Sequence, residues 1–326
     1  MLKNKPNFYF KVLFCFLLLM SIIIASNVVV ASEFPNKPIK IIVPWSPGGS
    51  TDVMARRLQP ILKSQGVDTV IVNKEGASSV VGNTELTLSA PDGYTVSFAS
   101  SSLISMIAQG MIEWGTDDFT NIARVSEDFY LLTVRAESKY NTLEEFMDDV
   151  KNNPGVITVG ASGSGTTSHM DAIVMAEGVE SEIRYVPFDG GSKCLASLLG
   201  GHIAAQVLKP GETWAQLQSG DIKPLAAFRG ERTNLFPDVA TFKEKGYNVF
   251  LYGEPTQSTF VIAPAGLEKE TKEKLGEIFQ KAIQSKEFQD YANERGIISE
   301  PIIGEELDLF IKNLENTLEV IIEKVL

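Results

Sequence analysis

Two stretches of this chain carry residues able to hold an anion without a charged side chain. In the first, the apolar run Ile41-Ile42-Val43 feeds Pro44-Trp45-Ser46-Pro47-Gly48-Gly49, and Ser50, Thr51 and Asp52 open a helical pattern. Met54, Leu58, Ile61 and Leu62 recur there at helical spacing. A strand that ends in such a turn aims the free N–H groups of a helix N-terminus, and the positive end of its dipole, at one point. Gly48 and Gly49 lack a Cβ, so positive φ and close approach of a ligand to the backbone are both open. The plainer reading is an ordinary capped strand-to-helix turn. The second stretch is Ser162, Gly163, Ser164, Gly165, Thr166, Thr167 and Ser168, again between an apolar run and a helical pattern. Its glycine spacing approaches a dinucleotide loop, but serine fills the last position and no acidic ribose partner follows at the right distance. It reads instead as a second cradle of hydroxyls and amides.

Other chemistry is poorly supplied. The chain has two histidines, His169 and His202, and no Gly-x-Ser-x-Gly elbow. Ser168 and His169 are adjacent, so their side chains diverge on a helix, and His169 reads as a first-turn residue with a local hydrogen bond. A secreted hydrolase is therefore the weaker alternative, and the expectation is a protein that is not an enzyme. No Cys/His cluster suits a transition metal, and no cofactor is expected. Asp52 reads as a helix-start carboxylate, with contact to a ligand amine as the alternative. Trp45 is a cleft wall or core. Lys193 and Lys209 are the cations nearest the loops. Ser101, at the end of a strand, and Asp189, in the loop Phe188-Asp189-Gly190-Gly191-Ser192, complete the candidate ligand contacts.

The elements that position these loops alternate. Strands are expected at 39–44, 68–72, 94–99, 129–135, 157–160, 184–187, 204–208 and 225–228, with helices between most of them, a turn at 209–212 and three helical patterns at the C-terminus. Pro60 is expected to kink the first helix. This rhythm predicts an α/β fold of two lobes, each a mainly parallel sheet flanked by helices, with loops at the carboxyl ends of the strands meeting across a cleft. The expected division is 32–133 plus 258–326 for one lobe and 134–257 for the other. Two strands, near 130–134 and 259–263, cross between lobes as the hinge.

Residues 1–31 stand apart. Lys3, Lys5 and Lys11 precede a long apolar run, and Val29-Val30-Ala31 gives a small-residue cleavage pattern, the layout of a secretory signal peptide. An uncleaved anchor on the outer side of the inner membrane is the alternative, since the apolar zone is just long enough to span a bilayer. Loss of the leader's three lysines takes the formal charge from −12 to −15, which excludes nucleic acid as a partner on electrostatic grounds. Cys194 is the single cysteine outside the leader, so no intramolecular disulfide forms there; its apolar neighbours mark it as a buried thiol.

Several further runs stand in a recognisable order. They are Ala90-Pro91-Asp92-Gly93-Tyr94-Thr95, Tyr185-Val186-Pro187-Phe188-Asp189-Gly190-Gly191, Leu198-Leu199-Gly200-Gly201-His202, Leu225-Ala226-Ala227 and Phe236-Pro237-Asp238-Val239-Ala240-Thr241-Phe242. With the two loops above they resemble the extracytoplasmic substrate-binding proteins of tripartite tricarboxylate transporters, the Bug family, over essentially the whole chain after residue 31. The resemblance implies a two-lobed periplasmic-binding-protein fold of type II-like form. It implies a small mono- or dicarboxylate ligand, with amino acids and tricarboxylates as further candidates, held by backbone amides, hydroxyls and water. It also implies delivery to a membrane permease of one large and one small subunit; a monomer is expected. A carboxylate sensor presenting its bound form to a membrane receptor is the alternative. The chain departs from the family pattern at Lys74-Glu75-Gly76-Ala77-Ser78-Ser79, where an Arg-Pro-Gly-Ala-Gly-Gly loop is common. It departs again at Thr167, where proline is usual, and near Glu254-Pro255-Thr256-Gln257, where a tryptophan is missing.

Overall fold

Strand β1 (Ile39–Val43) is buried on both faces, which is why its sequence is a near-continuous apolar run and not an alternating one. The computed structural model describes residues 34–233, 235–250 and 252–325; the expected leader lies outside them. Helix α1 (Ser50–Ser64) leads to β2 (Thr69–Asn73), and helix α2 (Val80–Thr87) to β3 (Thr95–Ser100) and helix α3 (Ser101–Ala108). β1 pairs in parallel with β2 and β3. The long strand β4 (Phe119–Asp128) is followed, after Phe129 alone, by β5 (Tyr130–Arg135) in a second sheet.

That second sheet is built from β6 (Thr158–Ser162), β7 (Arg184–Phe188), β8 (Ala205–Leu208) and β9 (Ile222–Phe228) around β5. Its helices are α4 (Leu143–Asn152), α5 (Thr167–Glu177), α6 (Gly191–Leu199) and α7 (Pro210–Ser219). Strand β10 (Gln257–Pro264) returns to the first sheet, and α8 (Lys269–Ile283), α9 (Lys286–Glu294) and α10 (Gly304–Val325) follow.

The two sheets share one plan, β2-β1-β3-β10-β4 and β7-β6-β8-β5-β9. Four strands of each run in one direction. The other, β10 or β5, is antiparallel to both of its neighbours. Each of these two strands follows a passage from the other sheet, and so enters its own sheet against the direction of its neighbours. The fold is thus α/β with two mixed sheets flanked by helices.

Phe98, Phe260 and Phe279 are fully buried behind the first sheet, and Phe146 and Phe242 behind the second. Each such ring contributes roughly 1.5–3 kcal/mol by leaving water. Among the described residues no helix is long and apolar enough to cross a membrane.

Three expectations are corrected, and at Pro60 the helix is found unbroken. β4 was not anticipated: Arg124, Ser126 and Asp128 are buried polar residues within it, and they hide its apolar period. The expected turn at 209–212 opens a helix, because Pro210 takes the first helical position and Glu212 accepts from the Lys209 N–H at 3.2 Å, half of a capping box. Helix α1 runs through Pro60; Arg56 and Pro60 are both exposed, so water can satisfy the carbonyl that the proline leaves without a donor. Finally, β5 and β10 each lie wholly within one sheet. The passages between sheets are at Phe129 and in residues 229–256.

Candidate functional site

The N-terminus of α1 and the N-terminus of α6, from different sheets, open on one cavity. Trp45, Gly49, Ser50 and Thr51 line it from the first sheet, and Gly190 and Gly191 from the second. Ser50, Thr51 and Asp52 stand in the first turn of α1, where no backbone acceptor lies within the helix. Ser100, Ser102, Tyr130 and Ser162 add hydroxyls, and Lys209 and Glu212 are the charged side chains of the wall. The Ser162 hydroxyl is buried and has no hydrogen-bond partner among the described residues, so it is a donor awaiting an acceptor. The enclosed space is about 30 Å³, room for a water or two, and the walls must part to admit a larger solute.

The remaining sequence-predicted residues sit around this cavity in other roles. Pro47 and Gly48 are exposed, and the Pro47 carbonyl accepts from Ser192 Oγ at 3.3 Å. The Asp52 carboxylate accepts from the Gly48 N–H, Arg56 Nε and Asn73 Nδ2, each at 2.9 Å. Burial alone raises its pKa, but the hydrogen bonds from Arg56, Gly48 and Asn73 outweigh that and hold the carboxyl below its ordinary 3.8. A carboxylate with three donors ties loop, helix and β2 together. Asp52→Ala is expected to cost about 1–2 kcal/mol. Because the folded pKa is depressed, this stabilisation is complete above the ordinary value and is lost as pH falls through the folded one. Denaturation midpoints of wild type and variant should therefore converge in acid; a gap that persists unchanged would refute the assignment.

The Gly163–Ser168 loop behaves differently from the expectation that it faces the Pro47–Asp52 loop. Its Ser164 N–H donates to Ser78 Oγ at 2.8 Å and its Gly165 N–H to His169 Nδ1 at 3.1 Å. The Gly165 carbonyl accepts from Ser105 Oγ at 2.6 Å and Gln109 Nε2 at 2.5 Å. Thr166 Oγ1 and Ser168 Oγ bond each other at 3.0 Å, and Thr166 Oγ1 also accepts from the His169 N–H, capping α5. Thr167 Oγ1 meets Tyr130 Oη at 2.9 Å, Gln257 Oε1 and Ser102 Oγ. Of this stretch, Ser162 alone lines the cavity; the rest docks the second sheet onto α3 and onto Ser78. Ser78 lies in a run, Ala77 to Ser79, of three successive non-glycine residues at positive φ, strain of the kind held where contacts over-determine the backbone. Ser101 Oγ donates to the Thr256 carbonyl and accepts from the Ser258 N–H, both at 2.8 Å. Asp189 is exposed beside Lys193, 3.5 Å away.

His169 and Ser168 keep separate partners. The imidazole stacks on Tyr185 with centroids 4.0 Å apart, and burial pushes its pKa down, so it is neutral in a fixed acceptor role. Burial, with a smaller effect of Glu212, pushes the Cys194 thiol up. Among the described residues no group of three His, Cys, Asp or Glu side chains is placed to hold a metal ion.

Gly190 and Gly191 had a legible signal, the same strand–Gly-Gly–helix junction as Gly48 and Gly49. Ser100 and Ser102 flank the predicted Ser101. Tyr130 and Glu212 gave no local sign, since the pairing of β5 with β8 and β9 puts one in place and α7 the other. The electrostatics of the pair Lys209 and Asp128 is strong: Nζ donates to Asp128 Oδ2 at 2.9 Å and to Thr259 Oγ1 at 3.3 Å, with both side chains nearly closed to water.

Known proteins agree with this architecture. A family profile described as "Tripartite tricarboxylate transporter family receptor" matches residues 54–325. Protein BugT of Bordetella pertussis is 31% identical over 265 residues, 78% of this chain and 79% of that protein. The solved structure of the periplasmic binding protein BugD superposes with a TM-score of 0.83 at 24% identity, covering 90% of this chain and 98% of that one. MatC from Rhodopseudomonas palustris, solved with bound malate, gives 0.81 at 23% identity over 89% of this chain and all of that one (100%). The chain belongs to the tripartite tricarboxylate transporter family receptors, periplasmic solute-binding proteins of the Bug type.

Proposed function

We propose that this receptor captures a small carboxylate between halves built on the two sheets, residues 32–133 with 258–326 and residues 134–257, and delivers it to a permease of one large and one small subunit. The observation that carries the proposal is the convergence of the α1 and α6 N-termini, from different sheets, on one cavity beside the unpartnered Ser162 hydroxyl. Backbone donors are adequate in magnitude. Hydrogen bonds to a charged group contribute about 1.5–3 kcal/mol each and a favourable helix end up to about 2, against about 8 for a micromolar complex. A relative in the fold holds malate, which is consistent in chemistry. A ligand touching both walls prefers the closed form and shifts the population to it.

A thermal-shift screen of carboxylates, amino acids and sugars tests the reading. A carboxylate at a hundredfold excess over its dissociation constant should add about 2.7 kcal/mol, and stabilisation by sugars alone would sink it. Gly49→Val separates site from scaffold. Gly49 has ordinary φ of −72°, and a Cβ there meets no atom closer than the Ser46 carbonyl at 3.4 Å. Stability should fall by less than about 1 kcal/mol, while calorimetry should show affinity falling at least tenfold; unchanged affinity would remove the α1 loop from the site.

A further inference from the structure

The cavity wall holds an acidic side chain and no cation to spare among the described residues, and this deepens the carboxylate reading, on which it rests. Lys209 and Glu212 are the two charged side chains in the wall. The Lys209 ammonium is already held by Asp128 and Thr259. The Glu212 carboxylate stands against the backbone where α6 begins, close enough that a Cβ on Gly191 would lie 2.6 Å from Glu212 Cδ. It accepts from the Lys209 N–H at 3.2 Å and lies near the backbone N–H of Ser50. It therefore stands beside the α1 cradle and turns an acidic face to whatever enters. With Asp128 and Lys209 cancelling, the formal charge of the three is negative by one.

We infer that Glu212 selects ligand charge, and that the site takes a zwitterion, with one carboxylate on the α1 and Ser162 donors and one ammonium against Glu212, in preference to a dicarboxylate. A second ligand carboxylate at contact distance from Glu212 would face a like charge where little water screens it, a penalty on the order of a hundredfold in affinity. An ammonium in the same place gains by a comparable attraction. Burial, with a smaller effect of Asp128, raises the Glu212 carboxyl above its ordinary value against the pull of Lys209 and the nearby amides. A protonated Glu212 would instead donate to a second carboxylate, so the two cases differ in what binds near neutral pH.

Calorimetry on the purified, exported protein at pH 7.5 decides this with matched pairs: alanine against lactate, 3-aminopropionate against succinate, and 4-aminobutyrate against glutarate. The ammonium member of whichever pair binds should be at least tenfold tighter. Glu212→Gln should cost that member about tenfold and improve its partner. A diacid that binds tighter to the wild type, or a ratio unmoved in a folded Glu212→Gln variant, overturns the inference and leaves the carboxylate reading standing. Should that variant fail to fold, the wild-type ratios alone decide. Failure of all six compounds to bind removes the carboxylate reading and this inference with it.

Discussion

Replacing Lys209 with methionine is expected to lower the unfolding free energy by about 3–5 kcal/mol, the cost of leaving one member of a buried ion pair alone. The lysine side chain is 8% exposed and that of Asp128 3%. Methionine keeps much of the stem's volume but leaves the Asp128 carboxylate with Ser126 Oγ, at 2.9 Å, as a donor. Lys209 caps the N-terminus of α7, whereas Asp128 ends β4 and Thr259 belongs to β10, so the ammonium fastens the second sheet to the first beside the Phe129 passage. Adding Asp128→Asn to Lys209→Met should recover most of the loss, because the uncompensated charge goes with it. Urea denaturation of the single and double variants measures the coupling, and a single variant with the wild-type midpoint would contradict the assignment.

Gly190→Ala is expected to weaken ligand capture at least tenfold and to cost about 1–3 kcal/mol of stability. Gly190 has φ 155° and ψ 163°, a region that is essentially glycine's alone. A Cβ there would lie 2.3 Å from Ser46 Oγ and 3.3 Å from the Ser46 nitrogen. The added methyl acts where the two sheets' loops touch, next to the 3.1 Å contact of Ser46 Oγ with Ser192 Oγ. Ser46→Gly in the same chain should restore part of the affinity by removing the clash, and should leave the backbone strain in place. Calorimetry and denaturation on the three variants distinguish the two contributions; equal affinity for Gly190→Ala and wild type would show that closure does not bring these loops together.

Much of this architecture could be read from residue order because its strands are local and unambiguous. β1, with Ile39, Ile41, Ile42 and Val43 fully buried, can be little else. The Gly-Gly junction before Ser50 announced an open helix end. β4 did not announce itself, since Arg124 spends its guanidinium on Glu127 in the same strand and on the Glu300 carbonyl, the latter far along the chain. The pairing of loops was likewise hidden. Both Gly/Ser stretches lie at strand ends, but strand order decides that Pro47 meets Ser192 and that Ser164 meets Ser78. Glu212 shows the same limit. Its charge was visible, but a proline one residue after Lys209 suggested a turn where it in fact starts α7, and the helix sets the carboxylate against Gly191.

The strand order β2-β1-β3-β10-β4 has a consequence for how the chain comes off the ribosome. Residues 130–228 hold every strand of the second sheet in one continuous stretch, while the first waits for Gln257–Pro264 to fill the gap between β3 and β4. The middle of the polypeptide can therefore finish its sheet while the earlier-made part is still an unsealed pair of fragments with bare edges, the arrangement most prone to mispairing. Synthesis order and completion order are opposite in this protein, and any nascent chain that stops short of β10 carries an open first sheet.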